Sequence, residues 1–348
     1  MKIIIDAMGG DNAPRAVVEG AVRAAKEYAV DIILTGRGEE ILRCMEELGC
    51  KDMPRGIEVA NASEVVEMED DPATVTRVKK DSSMTVGLRM LHDGQADAMI
   101  SAGSTGALLS GATLIVKRIK GIRRAAMAPL FPNDRSGVLL VDCGANVECT
   151  SEYLLQFAYM GSYYMKSMCA VENPRVGIVN IGVEATKGGT LQRETYELLK
   201  QAASEGRINF VGNVEARDIM FDCCEVAVCD GFSGNILLKG IEGTARFMAR
   251  ELKGIFTQNT RTRLAGALVG GDIRALKRKL DPSEVGGTAL LGISKPVIKA
   301  HGSSDARAIC NAVRQAVDNV NAGLAKMISD NIEYMRLRNE SDAPDREG

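Results

Sequence analysis

The sequence has little from which a metal centre could be built. It holds only two histidines, and none of its nine cysteines forms a CxxC pair with a second pair at zinc spacing. It contains no Walker A loop, no GxGxxG fingerprint and no GxSxG elbow, so no Ser-His-Asp triad can be assembled from local signatures. There is no basic excess: the net charge of −3 argues against a general nucleic-acid binder. No window approaches the roughly 18 apolar residues that crossing a bilayer requires. The first apolar stretch, in MKIIIDAMGG, is too short for a signal peptide and is broken by Asp6 and Gly9-Gly10. The expectation is a cytoplasmic protein with reduced, mostly buried thiols, attached to a membrane only at its surface.

What is present is ordinary globular composition over 348 residues, 45% hydrophobic and 26% charged. Short apolar runs alternate with helical patterns. The runs at Lys2–Ile5, Asp31–Thr35, Gly56–Val59, Ala98–Ser101, Gly137–Val141, Arg175–Ile181, Asn209–Gly212 and Glu225–Cys229 read as strands. Most are continuously apolar, as parallel strands covered on both faces should be. Helical patterns lie at Pro14–Ala29, Glu39–Leu48, Ser83–Asp93, Ser151–Met168 and Leu191–Ser204. The expected fold class is therefore α/β, a three-layer, doubly wound, mostly parallel sheet. After Asn235 the chain is expected to be mostly helical to about Tyr334, with a frayed polar tail beyond.

Ligands in such folds bind at the carboxyl ends of the strands. Six candidate strands run there into small or polar residues: DAMGGDNAP (Asp6–Pro14), SAGSTGAL (Ser101–Leu108), DCGAN (Asp142–Asn146), GVEATKGG (Gly182–Gly189), GNVEARD (Gly212–Asp218) and DGFSGN (Asp230–Asn235). Six in succession imply a Gly-lined cleft. Gly103 and Gly106 flank Ser104 and Thr105 before an apolar helix, where free N–H groups suit an anion; a plain capped turn has the same composition. Asp6 could position a ligand group near Gly9 and Gly10, whereas Asp11 or Asn12 before Pro14 reads as a helix cap. Asp142 and Asn146 are either ligand-binding or turn-forming. Lys187 in its Gly-flanked turn is either a phosphate partner or a surface lysine. His92 reads as structural. His301, with Ser303 and Ser304 beside a helix start, suits a developing negative charge.

Together with KAHGSSDARA (Lys299–Ala308) and ILLKGIEG (Ile236–Gly243), these ordered motifs resemble the PlsX family, the acyl-ACP:phosphate acyltransferases of bacterial phospholipid synthesis, from Lys2 to about Ala306. The resemblance implies an isocitrate/isopropylmalate dehydrogenase-like fold related to phosphotransacetylases, a homodimer, no metal and no cofactor. It implies one acyltransferase domain over residues 1–334, with a helical tip at about 245–282 and a tail at 335–348. It also implies acyl carrier protein and inorganic phosphate as substrates and a glycerol-3-phosphate acyltransferase downstream. Lys187, His301 and Asn235 are then the catalytic candidates. Asp6, Gly9, Gly10, Ser101, Gly103, Ser104, Thr105, Gly106, Asp142, Asn146, Asn213, Asp230 and Ser303 are the binding candidates. Two positions depart from the family pattern: Ser104 stands where Asn is usual, and VGGTALLG (Val285–Gly292) lacks the usual Tyr and Pro.

An acidic carrier needs a basic dock despite the net charge. Lys117–Arg124 is one candidate. The other is Arg261, Arg263, Arg274, Lys277, Arg278 and Lys279, where Leu264, Leu268 and Val269 add an apolar patch and Asp272 is expected to cap a short helix bearing Ile273, Leu276 and Leu280. Cationic and apolar faces side by side read as a membrane-surface element or as an ordinary core-facing helix. Three rival functions stay open: a short-chain phosphotransacylase using coenzyme A, a non-catalytic carrier scaffold, and a nicotinamide-dependent dehydrogenase.

Overall fold

The computed structural model describes residues 1–50, 52–133, 135, 137–279 and 286–337, the side chains of residues 274 and 276–279 excepted. The expected single sheet is two sheets. In the first, β3 (Ile57–Asn61), β2 (Asp31–Gly36), β1 (Lys2–Asp6), β4 (Ala98–Ser101) and β12 (Val297–Lys299) run parallel, β11 (Thr288–Leu291) is antiparallel to β12, and the edge strand β5 (Ala126–Ala128) is antiparallel to β11. In the second, β7 (Val138–Val141), β10 (Val226–Val228), β8 (Arg175–Asn180) and β9 (Asn209–Glu215) are parallel in that order, with β6 (Leu130–Phe131) antiparallel beside β7. The short β5–β6 passage turns the chain from one sheet to the other.

The continuous apolar runs are explained by cover on both faces. Ile3 and Ile5 face one core while Ile4, between them, joins another. The first core is shared with α1 (Arg15–Tyr28), α6 (Ser151–Met168) and α11 (Ala306–Ala322); the second lies under α4 (Ser83–His92) and α5 (Thr105–Gly111). Among the described residues the other α-helices are α2 (Gly38–Glu47), α3 (Val75–Val78), α7 (Thr190–Ser204), α8 (Gly231–Thr257), α9 (Thr260–Leu268), α10 (Gly270–Lys279) and α12 (Leu324–Asp330). His92 ends α4 and is exposed.

The described residues between Asn235 and Tyr334 are mostly helical, as expected, but β11 and β12 lie among them and β12 inserts beside β4 near the middle of the first sheet. Two expectations are corrected. Neither Asp11 nor Asn12 caps α1, whose N-cap is Pro14 without a side-chain bond. The Asn12 amide instead donates to the carbonyls of Ser303 and Ser304, and the Asp11 N–H donates to Gly302 O. Asp272 lies within the first turn of α10 rather than ahead of it. Leu280, Val285 and residues 338–348 of the tail lie outside the described residues.

Candidate functional site

Three loops at the carboxyl ends of β1, β4 and β12 form the best-knit part of the site. Strand pairing sets them side by side, with Lys299 in register with Ser101. The Ser101 hydroxyl donates to the Asp6 carboxylate at 2.7 Å and accepts the Gly103 N–H at 3.1 Å. The Met8 N–H also donates to Asp6. Burial pushes the Asp6 carboxyl up, and its bonds from Ser101 and Met8 pull it back. Gly9 has to be glycine, since a Cβ there would stand 2.7 Å from both Asp6 Oδ2 and the Gly103 nitrogen. Gly10 has φ of +103° and packs against Ala102 and the Gly302 carbonyl. The structure thus brings Asp6, Gly9, Gly10, Ser101 and Gly103 together with the loop that carries His301 and Ser303.

Ser104 is buried and its hydroxyl caps α5, accepting from the Ala107 N–H. Serine and asparagine are both good N-cap residues, so this departure from the family pattern keeps the loop's geometry. Thr105 and Gly106 begin α5, and Gly106 lies against Pro72.

The His301 side chain is exposed, and its Nδ1 accepts the Ser303 N–H at 3.2 Å with Ser303 Oγ 2.8 Å away. The neutral ring therefore carries its proton on Nε2 and offers a donor outward. Desolvation lowers its pKa; Lys299, Lys239 and Arg246 lower it further while Glu242 opposes them. The middle turns of α8, which carry Lys239, Glu242 and Arg246, therefore face this loop. We predict that nitrogen-15 spectra of the ring show the Nε2–H tautomer and a titration midpoint below the ordinary 6.5; an imidazolium still present at neutral pH would contradict it.

The second cluster belongs to the other sheet. The buried Asp142 carboxylate accepts the N–H groups of Met127 and Ala145 and both the N–H and the amide of Asn146. Asn146 also donates to the Ala125 carbonyl. These polar atoms hold the turn itself. Asp230 caps α8 through Ser233. Asn235 is exposed beside Gly144, which has φ of +105°, and its amide has no hydrogen-bond partner among the described residues.

Lys187 lies on the exposed loop after β8. The Asn213 amide, on β9, pins that loop by donating to Glu184 O, and Asn180 donates to Lys187 O. No hydrogen bond joins Lys187 to His301 or Asn235. Arg261, Arg263, Leu264 and Leu268 are exposed on α9, at 66% for Leu264 and 80% for Leu268. The side chains of Arg274, Leu276, Lys277, Arg278 and Lys279 lie outside the described residues.

The residue that sequence reasoning missed is Lys299. It opens the KAHGSSDARA motif, but lysines are seldom buried and three-residue strands are seldom visible. Its Nζ donates to the carbonyls of Ala102 and Ala300, tying two loops together, and burial drives its pKa down to about 8 against the pull of Asp6 and Asp11.

All nine cysteines are free thiols. Burial pushes Cys143 and Cys229 well up and Cys149 to about 12, so those near the cleft do not supply a thiolate nucleophile. Among the described residues, no group of three or more His, Cys, Asp or Glu is placed to hold a metal ion, and no helix is long and apolar enough to cross a membrane.

Comparison with known proteins places the chain. The family model described as fatty acid synthesis protein matches residues 1–327. The phosphate acyltransferase of Thermoanaerobacter pseudethanolicus is 45% identical over 96% of this chain and 98% of its own. That of Alkaliphilus oremlandii is 48% identical over 95% and 97%. Among solved structures, a phosphotransacetylase from Streptococcus pyogenes superposes with a TM-score of 0.60 at 18% identity, covering 94% of both chains. A 4-hydroxythreonine-4-phosphate dehydrogenase from Klebsiella pneumoniae gives 0.54 at 12%, covering 93% of this chain and 99% of that one. At such identities these two bear on the fold alone, and they agree with the α/β class and its dehydrogenase-like and phosphotransacetylase-like relatives.

Proposed function

The chain belongs to the PlsX family of phosphate acyltransferases, and from that membership we propose that it transfers a long-chain acyl group from an acyl carrier protein thioester to inorganic phosphate. The observation that carries the reading is near-full-length identity of 45% to a phosphate acyltransferase. The product, an acyl phosphate, would serve acylation of glycerol 3-phosphate in phospholipid synthesis by a glycerol-3-phosphate acyltransferase.

Phosphate is already an oxyanion nucleophile at neutral pH, so the protein's task is to hold it near the thioester carbonyl and stabilise the charge that develops there. One phosphate oxygen attacks the carbonyl carbon, a tetrahedral oxyanion forms, and the C–S bond breaks to release the carrier's thiolate, which takes up a proton. The loop of Gly103, Ser104, Thr105 and Gly106, beside the buried Asp6–Ser101 pair, is our phosphate-binding element. Lys187, Asn235 and the outward Nε2–H of His301 are our donors to the oxyanion and the leaving sulfur. Asp142, Asn146, Asn213, Asp230 and Ser303 keep their places in the site by shaping the loops that present these groups.

The exposed apolar side chains of α9, with Arg261 and Arg263 on the same helix, support a tip that meets the carrier or a membrane surface. We further propose a homodimer. Liposome co-sedimentation with Leu268→Glu tests the tip: binding to anionic vesicles should drop severalfold, and undiminished binding would remove α9 from this role. Initial rates with long-chain acyl carrier protein and with short-chain acyl-coenzyme A, each with phosphate, test the donor. Preference for the carrier substrate supports the proposal; preference for coenzyme A makes the protein a phosphotransacylase instead.

A further inference from the structure

We propose that Lys299 is a positioning residue for phosphate: it fastens the loop after β4 to the loop after β12 and supplies the buried positive charge on which anion binding there depends. The inference rests on the reading of Gly103–Gly106 as the phosphate-binding loop.

The geometry is specific. Lys299 is only 8% exposed, at the carboxyl end of β12 and in register with Ser101 of β4. Its Nζ donates to one carbonyl from each loop, Ala102 and Ala300. Both are neutral acceptors, and no carboxylate forms an ion pair with it among the described residues. Asp6, whose charge acts on Lys299 across the strand ends, is hydrogen-bonded to Ser101 and Met8 instead. An ammonium buried without a contacting anion is costly, and the cost falls when an anion arrives. The charged groups acting on it are Asp6 at the end of β1, Asp11 in the following loop and Lys239 from α8; His301 on its own loop feels Lys299 in turn. The two carboxylates keep the ammonium charged at neutral pH, and burial with Lys239 makes it lose its proton near pH 8. Its charge is therefore removable within a range where phosphate is already mainly dianionic.

The test is calorimetric titration of inorganic phosphate into the full-length protein at about pH 7.5 and about pH 9.5, for wild type, Lys299→Met and Lys299→Arg. Wild type should bind about tenfold or more weakly at the higher pH. Lys299→Met should bind about tenfold or more weakly at pH 7.5 and change little thereafter. Lys299→Arg, whose guanidinium keeps its proton, should abolish the alkaline loss. A purely structural lysine would lower the folded fraction without these pH effects. Wild-type affinity unchanged between the two pH values, a folded Lys299→Met binding like wild type, or an alkaline loss persisting in Lys299→Arg would each overturn the proposal. Should Lys299→Met not fold, the other two proteins decide it. Acyl transfer measured in parallel separates the two ideas: Lys299-dependent phosphate binding without transfer refutes the acyltransferase reading and leaves this one standing.

Discussion

Lys187→Ala is expected to lower phosphate-dependent turnover by about a hundredfold or more while leaving the fold intact. The structure makes this a clean substitution. The Lys187 side chain is exposed and has no hydrogen bond or ion pair among the described residues; only its backbone is used, its carbonyl accepting from Asn180 and its N–H donating to Glu184 O. The loop is held by other groups: Asn213 pins Glu184, and the Gly189 N–H donates to Gln192 ahead of α7. Removing the ammonium therefore removes no structural contact, and unfolding by urea should be unchanged within about 0.5 kcal/mol. Lys187→Arg, which restores charge with different geometry, should recover part of the rate. Steady-state kinetics beside urea unfolding checks both halves, and near-normal turnover of Lys187→Ala would remove this lysine from the mechanism.

The second large effect is on stability. Gly234→Ala is expected to cost about 3 kcal/mol or more and to abolish activity by displacing the start of α8. A Cβ on Gly234 would lie 1.9 Å from the Asp142 carbonyl oxygen and 2.9 Å from Cys229 Sγ. Neither atom belongs to a flexible side-chain end: one is backbone in the turn that Asp142 itself ties together, the other a buried thiol at the end of the preceding segment. α8 would have to lift off that turn, taking Asn235 and the Asp230 cap with it. A lowered urea midpoint, read with circular dichroism, tests this; an unshifted midpoint would show that the helix start tolerates displacement.

Much of this was legible because the cues were local. Ile3–Ile5 and Ala98–Ile100 announce buried parallel strands by lacking polar residues, and the glycines that follow mark where backbones approach one another. Gly9 and Gly103 are adjacent in space for the reason their motifs suggest: a side chain on Gly9 would collide with the other loop. What stayed hidden was non-local. β12 is three residues long, and nothing in its composition says that it inserts beside β4, some 200 residues away in the chain. Lys299 inherits that obscurity. The Asp11 cap failed for a related cause: a short-range pattern was read where the backbone N–H is taken by Gly302, which only the fold brings near. Asp142 and Asp230 stand between these cases. Their loops were recognisable, but that the carboxylates are taken up by turn and helix-start donors needed coordinates.

The most direct test of acyl transfer to phosphate is release of free carrier thiol from long-chain acyl carrier protein, followed with and without inorganic phosphate, with hydroxylamine trapping the acyl product. The account predicts thiol release that requires phosphate and a trapped hydroxamate in equal amount. Thiol release independent of phosphate, or none from either carrier or coenzyme A thioesters, would contradict it.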